Sequence, residues 1–142
     1  MPIDNIFGIA GSALNAQMAR MNTVASNLAN ASTVAGSDKD AYRAKRTVFK
    51  AVLEDQKQAP RDQTYQGGVR IDALIDDPSP VRRMSDPGNP LADKDGFTYL
   101  SNVNEMTEMV EMMAASRSYQ NNVEVINTTR QLMLRTLDIT RG

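Results

Sequence analysis

Apolar residues recur in alternating steps of three and four along residues 1–31. The positions that carry the repeat are Ile3, Phe7, Ala10, Leu14, Gln17, Met21, Val24 and Leu28. Apart from the polar break at Gln17, this is the a/d pattern of a coiled-coil helix. Two glycines lie inside the segment, at Gly8 and Gly11, and each costs about 1 kcal/mol relative to alanine within a helix. The pattern therefore predicts an N-terminal helix that depends on packing for its stability.

The same spacing returns from about residue 102 to the end of the chain. It is carried by Met109, Met112, Ser116, Tyr119, Val123, Ile126, Arg130, Met133 and Leu137. Asn102 followed by Glu105 resembles a capping box, which predicts the start of the helix. Such a helix, about 37 residues long, spans roughly 55 Å. We therefore predict a C-terminal helix that is longer than a chain of this size can readily bury.

The region between the two helical segments contains five of the six prolines and most of the turn signals. We expect a loop at residues 32–40, a strand within residues 42–53 and a clearer strand after Gly67-Gly68, at residues 69–76. Residues 86–90 and the dipeptide Asp95-Gly96 predict turns. Residues 54–66 are polar and predict a connection without regular structure.

These patterns predict a mainly α fold with a small β element. The N-terminal helix (1–31) and the C-terminal helix (102–142) are expected to form a coiled-coil-like assembly domain. Residues 32–101 are expected to form a loop-rich, β-containing central insert of two to four strands, too few to be stable without the helices. The helices could pair as an antiparallel hairpin within one chain, but a hairpin buries one seam and the apolar stripes are wider than a seam. We expect the apolar residues that such a seam leaves uncovered to contact other subunits.

The predicted assembly interface is taken from these stripes and from two asparagines at the end of the first helix. It comprises Phe7, Leu14, Met21, Val24, Asn27, Leu28, Asn30, Met109, Met112, Tyr119, Val123, Ile126, Met133 and Leu137. Asn27 and Asn30 either bond to neighbouring subunits or simply end the helix, and the sequence does not separate the two. The chain has nine methionines, and their flexible side chains suit either a core or a surface that fits several partners.

Composition argues against catalysis. The 142 residues include no Cys and no His, which removes thiolate nucleophiles, disulfides, the commonest general base and the usual zinc ligands. Carboxylate pairs such as Asp76-Asp77, or Asp93 and Asp95, lie in polar segments where solvated surface carboxylates are the ordinary interpretation. Asp93 begins a weak resemblance to a calcium loop, but the twelfth position is Asn104 rather than Glu. We therefore expect that the protein is not an enzyme and that it has no cofactor and no metal site.

One basic cluster, at Arg43, Lys45 and Arg46, lies near Tyr42 and Phe49. It could bind nucleic acid, or it could be the polar face of a strand that meets solvent or an acidic partner. The net charge of −1 favours the second interpretation.

Membrane and secretion signals are also missing from the sequence pattern. No stretch approaches the roughly 20 apolar residues that a transmembrane helix needs. The first Lys or Arg is Arg20, so the N-terminus lacks the basic region of a signal peptide and the flanking charges of an interfacial anchor. We expect no direct membrane insertion and no cleaved signal peptide.

Four ordered motifs resemble the flagellar axial family of rod, hook and filament-junction proteins. The first is ALNAQ at 13–17 with MNTVASNLANAST at 21–33, in which Ser26 stands where the family commonly has a second Asn. The second is the C-terminal run at 102–128, which resembles the matching C-terminal motif of the family. Two central motifs, YRAKRTVF at 42–49 and DPGNPLADKDGF at 86–97, narrow the resemblance to the proximal rod.

The resemblance implies a structural subunit of the bacterial flagellar basal-body rod, polymerising through its terminal helices into a tube that transmits torque and surrounds the export channel. It implies other copies of the chain, rod proteins such as FlgB, FliE, FlgF and FlgG, the flagellar type III export apparatus and the basal-body rings as partners, with no nucleic acid. It places the protein in the periplasmic rod. The alternative that the residues leave open is a soluble coiled-coil adaptor or binding protein.

Overall fold

The computed structural model describes residues 3–52 and 67–141. In chain order the elements are α1 (Ile3–Ala29), β1 (Val34–Ala35), β2 (Lys45–Ala51), β3 (Val69–Asp76), β4 (Arg82–Ser85), β5 (Phe97–Leu100) and α2 (Glu105–Arg141). Both terminal helices and the strand at 69–76 lie where the sequence predicts them. The polar connection predicted at 54–66 lies outside the described residues.

The helices α1 and α2 pack side by side in opposite directions. Arg20 of α1 forms an ion pair with Glu111 of α2, and the Asn27 side-chain amide donates to the Glu108 carboxylate at 3.0 Å. Residue numbers thus rise along α1 as they fall along α2. Ala115 is fully buried, and among the described elements the backbone of α2 packs closely on that of α1.

The strands form two separate antiparallel sheets. One has the order β1-β5-β4, with β5 in the middle, and the other consists of β2 and β3. In the first sheet Val34 pairs with Leu100 and Ser85 pairs with Phe97. Because β1 follows α1 closely and β5 precedes α2 closely, this sheet sits at the end of the helix pair where α1 stops and α2 starts.

The two-stranded sheet of β2 and β3 lies on α1 through a close backbone approach. Gly68 has a φ of +139°, and a Cβ atom there would lie 2.8 Å from the Ser12 hydroxyl oxygen. That same hydroxyl accepts a hydrogen bond from the Val69 N–H at 3.1 Å. A glycine is therefore needed at position 68 both for its backbone conformation and for the space above Ser12.

The buried apolar residues of the described chain are all small. They are Ala10, Ala16, Val24, Ala31, Ala41, Ala44, Val103 and Ala115. Small side chains let backbones approach closely, but they remove little apolar area from water. Many of the larger apolar side chains consequently remain at the surface.

The predicted fold class, mainly α with a small β element inserted in a coiled-coil-like domain, is wrong. In the described residues the β structure comprises five strands in two sheets, and the sheet of β2 and β3 packs on α1. The helix pair is not closed by a regular seam of large apolar residues, because Asn27 and Glu108 are fully buried within it and its buried apolar residues are alanine and valine. Polar contacts and small residues occupy the contact where a coiled coil would have large apolar side chains at its a and d positions.

Two local expectations also need correction. Asn104, not Asn102, caps α2, because its side-chain oxygen accepts from the Thr107 N–H at 3.1 Å. Asn102 instead binds the β region: its oxygen accepts from the Ala44 N–H at 2.7 Å and its amide donates to the Ser79 carbonyl. The loop predicted at 32–40 contains the short strand β1, which the sequence does not signal because it has only two residues.

Candidate assembly surfaces

A buried polar junction joins α1, β2 and α2. Asn27 uses both ends of its side-chain amide: the nitrogen donates to the Lys45 carbonyl at 2.9 Å and to Glu108, and the oxygen accepts from the Lys45 N–H at 2.8 Å and the Tyr42 hydroxyl at 3.1 Å. Glu108 also accepts from the Arg46 guanidinium at 2.6 Å. We call Asn27, Arg46 and Glu108 the polar junction. It holds one strand and both helices in a single arrangement.

The residues of the basic cluster are paired within the chain. Arg46 pairs with Glu108 and also approaches Asp77 at 3.6 Å, while Lys45 approaches Asp76 at 3.6 Å. Arg43 pairs with Asp38 at 3.2 Å. Arg46 therefore links β2 to α2, and Lys45 links β2 to β3.

Two carboxylates stabilise the turns beside the sheets. Hydrogen bonds from Ser79, with Arg46 nearby, hold the pKa of the Asp77 carboxyl below its ordinary value. The Asp93 carboxylate accepts from the Phe97 N–H at 2.8 Å, the Asp95 N–H at 3.0 Å and the Tyr99 hydroxyl at 3.1 Å. The backbone N–H of Phe97, above all, lowers the pKa of Asp93, and the bond to Asp93 raises the pKa of Tyr99. Asp93 thus closes the turn before β5.

The predicted interface residues divide between the inside and the outside of the folded chain. Val24 and Asn27 are buried, and Met109, Met133 and Leu137 are exposed by 52, 39 and 49%. The others are partly buried: Phe7, Leu14, Met21, Leu28, Asn30, Met112, Tyr119, Val123 and Ile126. The structure therefore partly or fully buries the predicted residues of the first stripe and of the middle of the second, and leaves Met109, Met133 and Leu137 exposed.

The two asparagines in question have different surroundings. Asn27 bonds to Lys45, Tyr42 and Glu108, which are distant in sequence, whereas the Asn30 amide donates to the Ser26 carbonyl at 2.8 Å at the end of α1 itself. Within one chain, Asn30 helps to end the helix and Asn27 joins three elements.

An exposed group of apolar residues runs along the start of α2, and sequence reasoning did not place it in the interface as a group. Met106, Met109, Val110 and Met113 are exposed by 72, 52, 54 and 62%. Their spacing of three, one and three puts them on one side of the helix, opposite the buried Glu108 and Ala115. We call these four residues the Met stripe. The spacing of these four residues is a detectable signal in the sequence. The a/d pattern through the same segment, however, includes only Met109 of the four.

The far end of α2 extends beyond α1. If the pairing of Arg20 with Glu111 and Asn27 with Glu108 continues, the start of α1 lies level with about residue 130 of α2, and the remaining turns project by roughly 15 Å. Every residue from 130 to 139 is exposed. Leu132, Met133, Leu134 and Ile139 are exposed by 58, 39, 52 and 80%. We call residues 130–139 the C-terminal overhang.

Family models match the two ends of the chain, and individual relatives match nearly all of it. Residues 7–36 match the family described as flagella basal body rod protein, and residues 94–139 match the flagellar basal body rod FlgEFG protein C-terminal family. The flagellar basal-body rod protein FlgC of Yersinia enterocolitica is 52% identical over 98% of both chains, and that of Salmonella typhimurium is 48% identical over the same share. The chain belongs to the FlgC family of flagellar basal-body rod proteins.

Membership in the FlgC family confirms the resemblance seen in the four sequence motifs and gives the chain a structural role in the basal-body rod. The two matched segments divide the fold in a simple way. The first covers most of α1 and reaches β1, and the second covers β5 and nearly all of α2. Between them they contain Asn27 and Glu108 of the polar junction, while Arg46 lies in the central part, which the full-length FlgC relatives cover.

Two classes of site were sought in residues 3–52 and 67–141. No helix in that part of the chain is long and apolar enough to cross a membrane. No cluster of three or more His, Cys, Asp or Glu side chains in the same part is arranged to hold a metal ion.

Proposed function

We propose that this FlgC-family chain is a subunit of the proximal rod that polymerises through its terminal helices into the tubular drive shaft. In this role it transmits torque and surrounds the export channel. The observation that carries the proposal is the amount of apolar surface left exposed on α2, at the Met stripe and along the C-terminal overhang. Large exposed apolar areas on a soluble chain are typical of interaction surfaces.

The small core supports the same proposal. A chain whose buried apolar residues are alanines and valines gains limited stability by itself, and neighbours that cover α2 would add the missing burial. Marginal terminal helices also suit a subunit that is exported in a partly unfolded form and gains its packing on assembly. A repeated contact between two different surfaces produces an open filament or tube rather than a closed ring when the rotation does not close.

The proposed partners follow from this role. They are further copies of the chain, other rod proteins such as FlgB, FliE, FlgF and FlgG, the type III export apparatus and the basal-body rings. We place the assembled protein in the periplasmic rod and propose export without a cleaved signal peptide. The predicted interface residues, from Phe7 to Leu137, are proposed to lie in subunit contacts where they are exposed in the single chain.

Cells that lack the chain test this function. We expect them to build no complete rod and not to swim, and we expect the wild-type chain supplied from a plasmid to restore both properties. The measurement is electron microscopy of purified basal bodies together with swimming in soft agar. Complete rods in cells without the chain would overturn the proposal.

The same cells test the contribution of α2. Val123→Asp puts a charge on a partly buried position of the helix, where desolvation without a partner is costly, and we expect it to block rod assembly. Asn127→Asp, on an exposed position of the same helix, is the matched control and should support swimming. Normal swimming with Val123→Asp would contradict the assignment of this face to a packed contact.

A further inference from the structure

Methionine carries all the sulfur in the chain. The 142 residues include nine Met and no Cys. Peroxides oxidise protein sulfur at these two residue types, the thiolate of cysteine and the thioether of methionine. A peroxide that reaches this chain therefore finds only thioethers, and the exposure of each methionine decides how readily it reacts.

The most exposed methionines of the described residues all belong to the Met stripe. Met106, Met109 and Met113 are exposed by 72, 52 and 62%. Met84 follows at 45%, and Met112, the neighbour of Met113 in sequence, is partly buried. The most accessible thioethers thus lie within about two turns of one helix and on one side of it.

Oxidation at these positions changes the surface of α2 and spares the fold. Methionine sulfoxide is polar where methionine is apolar, and it disrupts methionine-rich contact surfaces. At an exposed position the S=O group stays in water, so the chain avoids the cost of burying a polar group that a core position would incur. Three of the four residues of the Met stripe would become polar, and only Val110 would stay apolar.

We propose that the Met stripe is a reversible sulfoxidation site, at which a peroxide makes this apolar contact surface of α2 polar. A lone pair on the methionine Sδ attacks one oxygen of hydrogen peroxide. The S–O bond forms as the O–O bond breaks, and the second oxygen leaves as water with the proton of the first. Sulfur loses two electrons and the peroxide gains them. A methionine sulfoxide reductase reverses the step with a thiol reductant, which is oxidised to a disulfide while the sulfoxide oxygen leaves as water.

This inference rests on the proposed function and adds a means of regulating it. Leucine would supply a similar apolar volume without the sulfur, so methionine gives the surface a chemical response that packing alone does not require. An oxidised copy would present a polar surface to its neighbours and be left out of the assembly. A reduced copy would join it.

A sulfoxide map of the purified full-length chain tests the site. The chain is treated with a graded series of hydrogen peroxide concentrations and digested, and mass spectrometry counts the sulfoxide at each methionine. We expect Met106, Met109 and Met113 to react several-fold faster than Met112, which is the internal control on the same helix. Circular dichroism should show an unchanged helix content. Equal rates at Met112 and at the three stripe positions, or loss of helix as the stripe oxidises, would overturn the proposal.

Two triple variants separate the Met stripe from the other methionines. The stripe variant replaces its three methionines with leucine, as Met106→Leu, Met109→Leu and Met113→Leu. The control variant replaces three exposed methionines elsewhere, as Met18→Leu, Met84→Leu and Met133→Leu. The readout is the fluorescence of ANS, a dye that binds exposed apolar surface. Peroxide should reduce the fluorescence of the wild type and of the control variant, the reductase with its thiol should restore it, and the stripe variant should not respond. An equal loss in the stripe variant would show that other methionines are responsible.

Assembly gives the functional readout, by light scattering of the chain with other rod proteins. The untreated wild type should form particles that grow with concentration, the oxidised wild type should not, and the oxidised stripe variant should. Unimpaired growth of the oxidised wild type would overturn the regulation and leave the proposed function intact. A wild type that forms no particles even before oxidation would instead contradict the proposed function, and the sulfoxide map and the dye binding would still decide whether the Met stripe is the oxidation site.

Discussion

Asn27 and Glu108 are separated by 81 positions in sequence and meet in the polar junction. Both side chains are fully buried, and buried polar groups are costly when they lose their partners. Asn27 satisfies the Lys45 backbone on the outer edge of β2 as well as Glu108 on α2. A side chain of α1 that bonds to both β2 and α2 fixes the relative positions of the three elements.

Replacing Asn27 tests directly whether the polar junction stabilises the fold. Asn27→Ala leaves the Lys45 backbone N–H and one Glu108 oxygen without their bonds, and we expect a loss of about 3 kcal/mol in the free energy of unfolding. Urea denaturation followed by circular dichroism measures it. Asn30→Ala removes one exposed bond and should cost about 1 kcal/mol or less. Equal losses for the two variants would show that the junction is not a centre of stability.

The lowered pKa of Asp77 predicts that the stability of the fold depends on pH. Its pKa is lowered in the folded chain, chiefly by hydrogen bonds from Ser79, so the unfolded chain binds a proton first as the pH falls. The stabilisation is complete above the unfolded pKa of about 3.9 and is lost as the pH falls through the lower folded value. We expect Asp77→Asn to destabilise the protein at neutral pH and to reduce the loss of stability below about pH 4. Asp95→Asn is the control, and thermal unfolding between pH 2.5 and 7 is the measurement. Parallel stability curves for wild type and Asp77→Asn would contradict the assignment.

At this scale the sequence identifies some residues but not their contacts. Asn27 stands out within the NLAN segment, yet its partners cannot be known before the helices are placed side by side. Glu108 looks like an ordinary acidic residue at a helix start, where the macrodipole favours it anyway. Only the fold reveals that it is buried against Arg46.

Among the elements, the sheet of β2 and β3 depends on one glycine. Gly68→Ala would place a methyl group 2.8 Å from the Ser12 oxygen at a φ of +139°, and we expect a loss of about 2 kcal/mol. Gly88→Ala is the matched control, because its nearest neighbour, an Asp86 carboxylate oxygen, lies 4.0 Å away, and it should change stability by less than about 0.5 kcal/mol. Denaturant titration of both variants checks the difference. An unchanged Gly68→Ala variant would mean that the sheet lies on α1 without this close approach.

The helices were predictable because their apolar spacing persists over many turns, and β3 was predictable because its residues alternate. Strands β1 and β4 gave no such signal. β1 has two residues, and β4 is Arg-Arg-Met-Ser with all four exposed. Their pairing with β5 depends on long-range contacts that no local pattern encodes. The coiled-coil prediction failed because a heptad count records where apolar residues recur and not whether a neighbour is close enough to cover them.

The described molecule is an antiparallel pair of long helices with two small sheets, and the C-terminal overhang of α2 is exposed. The sequence indicated that the apolar stripes exceed what one chain can bury, and the exposed positions of α2 give that surplus a location. One face at the start of α2 and the last turns of α2 are exposed, while Glu108 and Ala115 are fully buried. Membership in the FlgC family gives the chain a structural role in the rod, and the exposed apolar positions of α2 are the surfaces that we propose to contact other subunits.

The measurement that tests the rod account most directly is the size and shape of the purified protein against concentration, alone and with other rod proteins. Light scattering gives the size and electron microscopy gives the shape. We predict open-ended or partner-dependent tubular particles that grow with concentration. A compact monomer or closed dimer that keeps its size and ignores those proteins would contradict the account and favour a soluble adaptor.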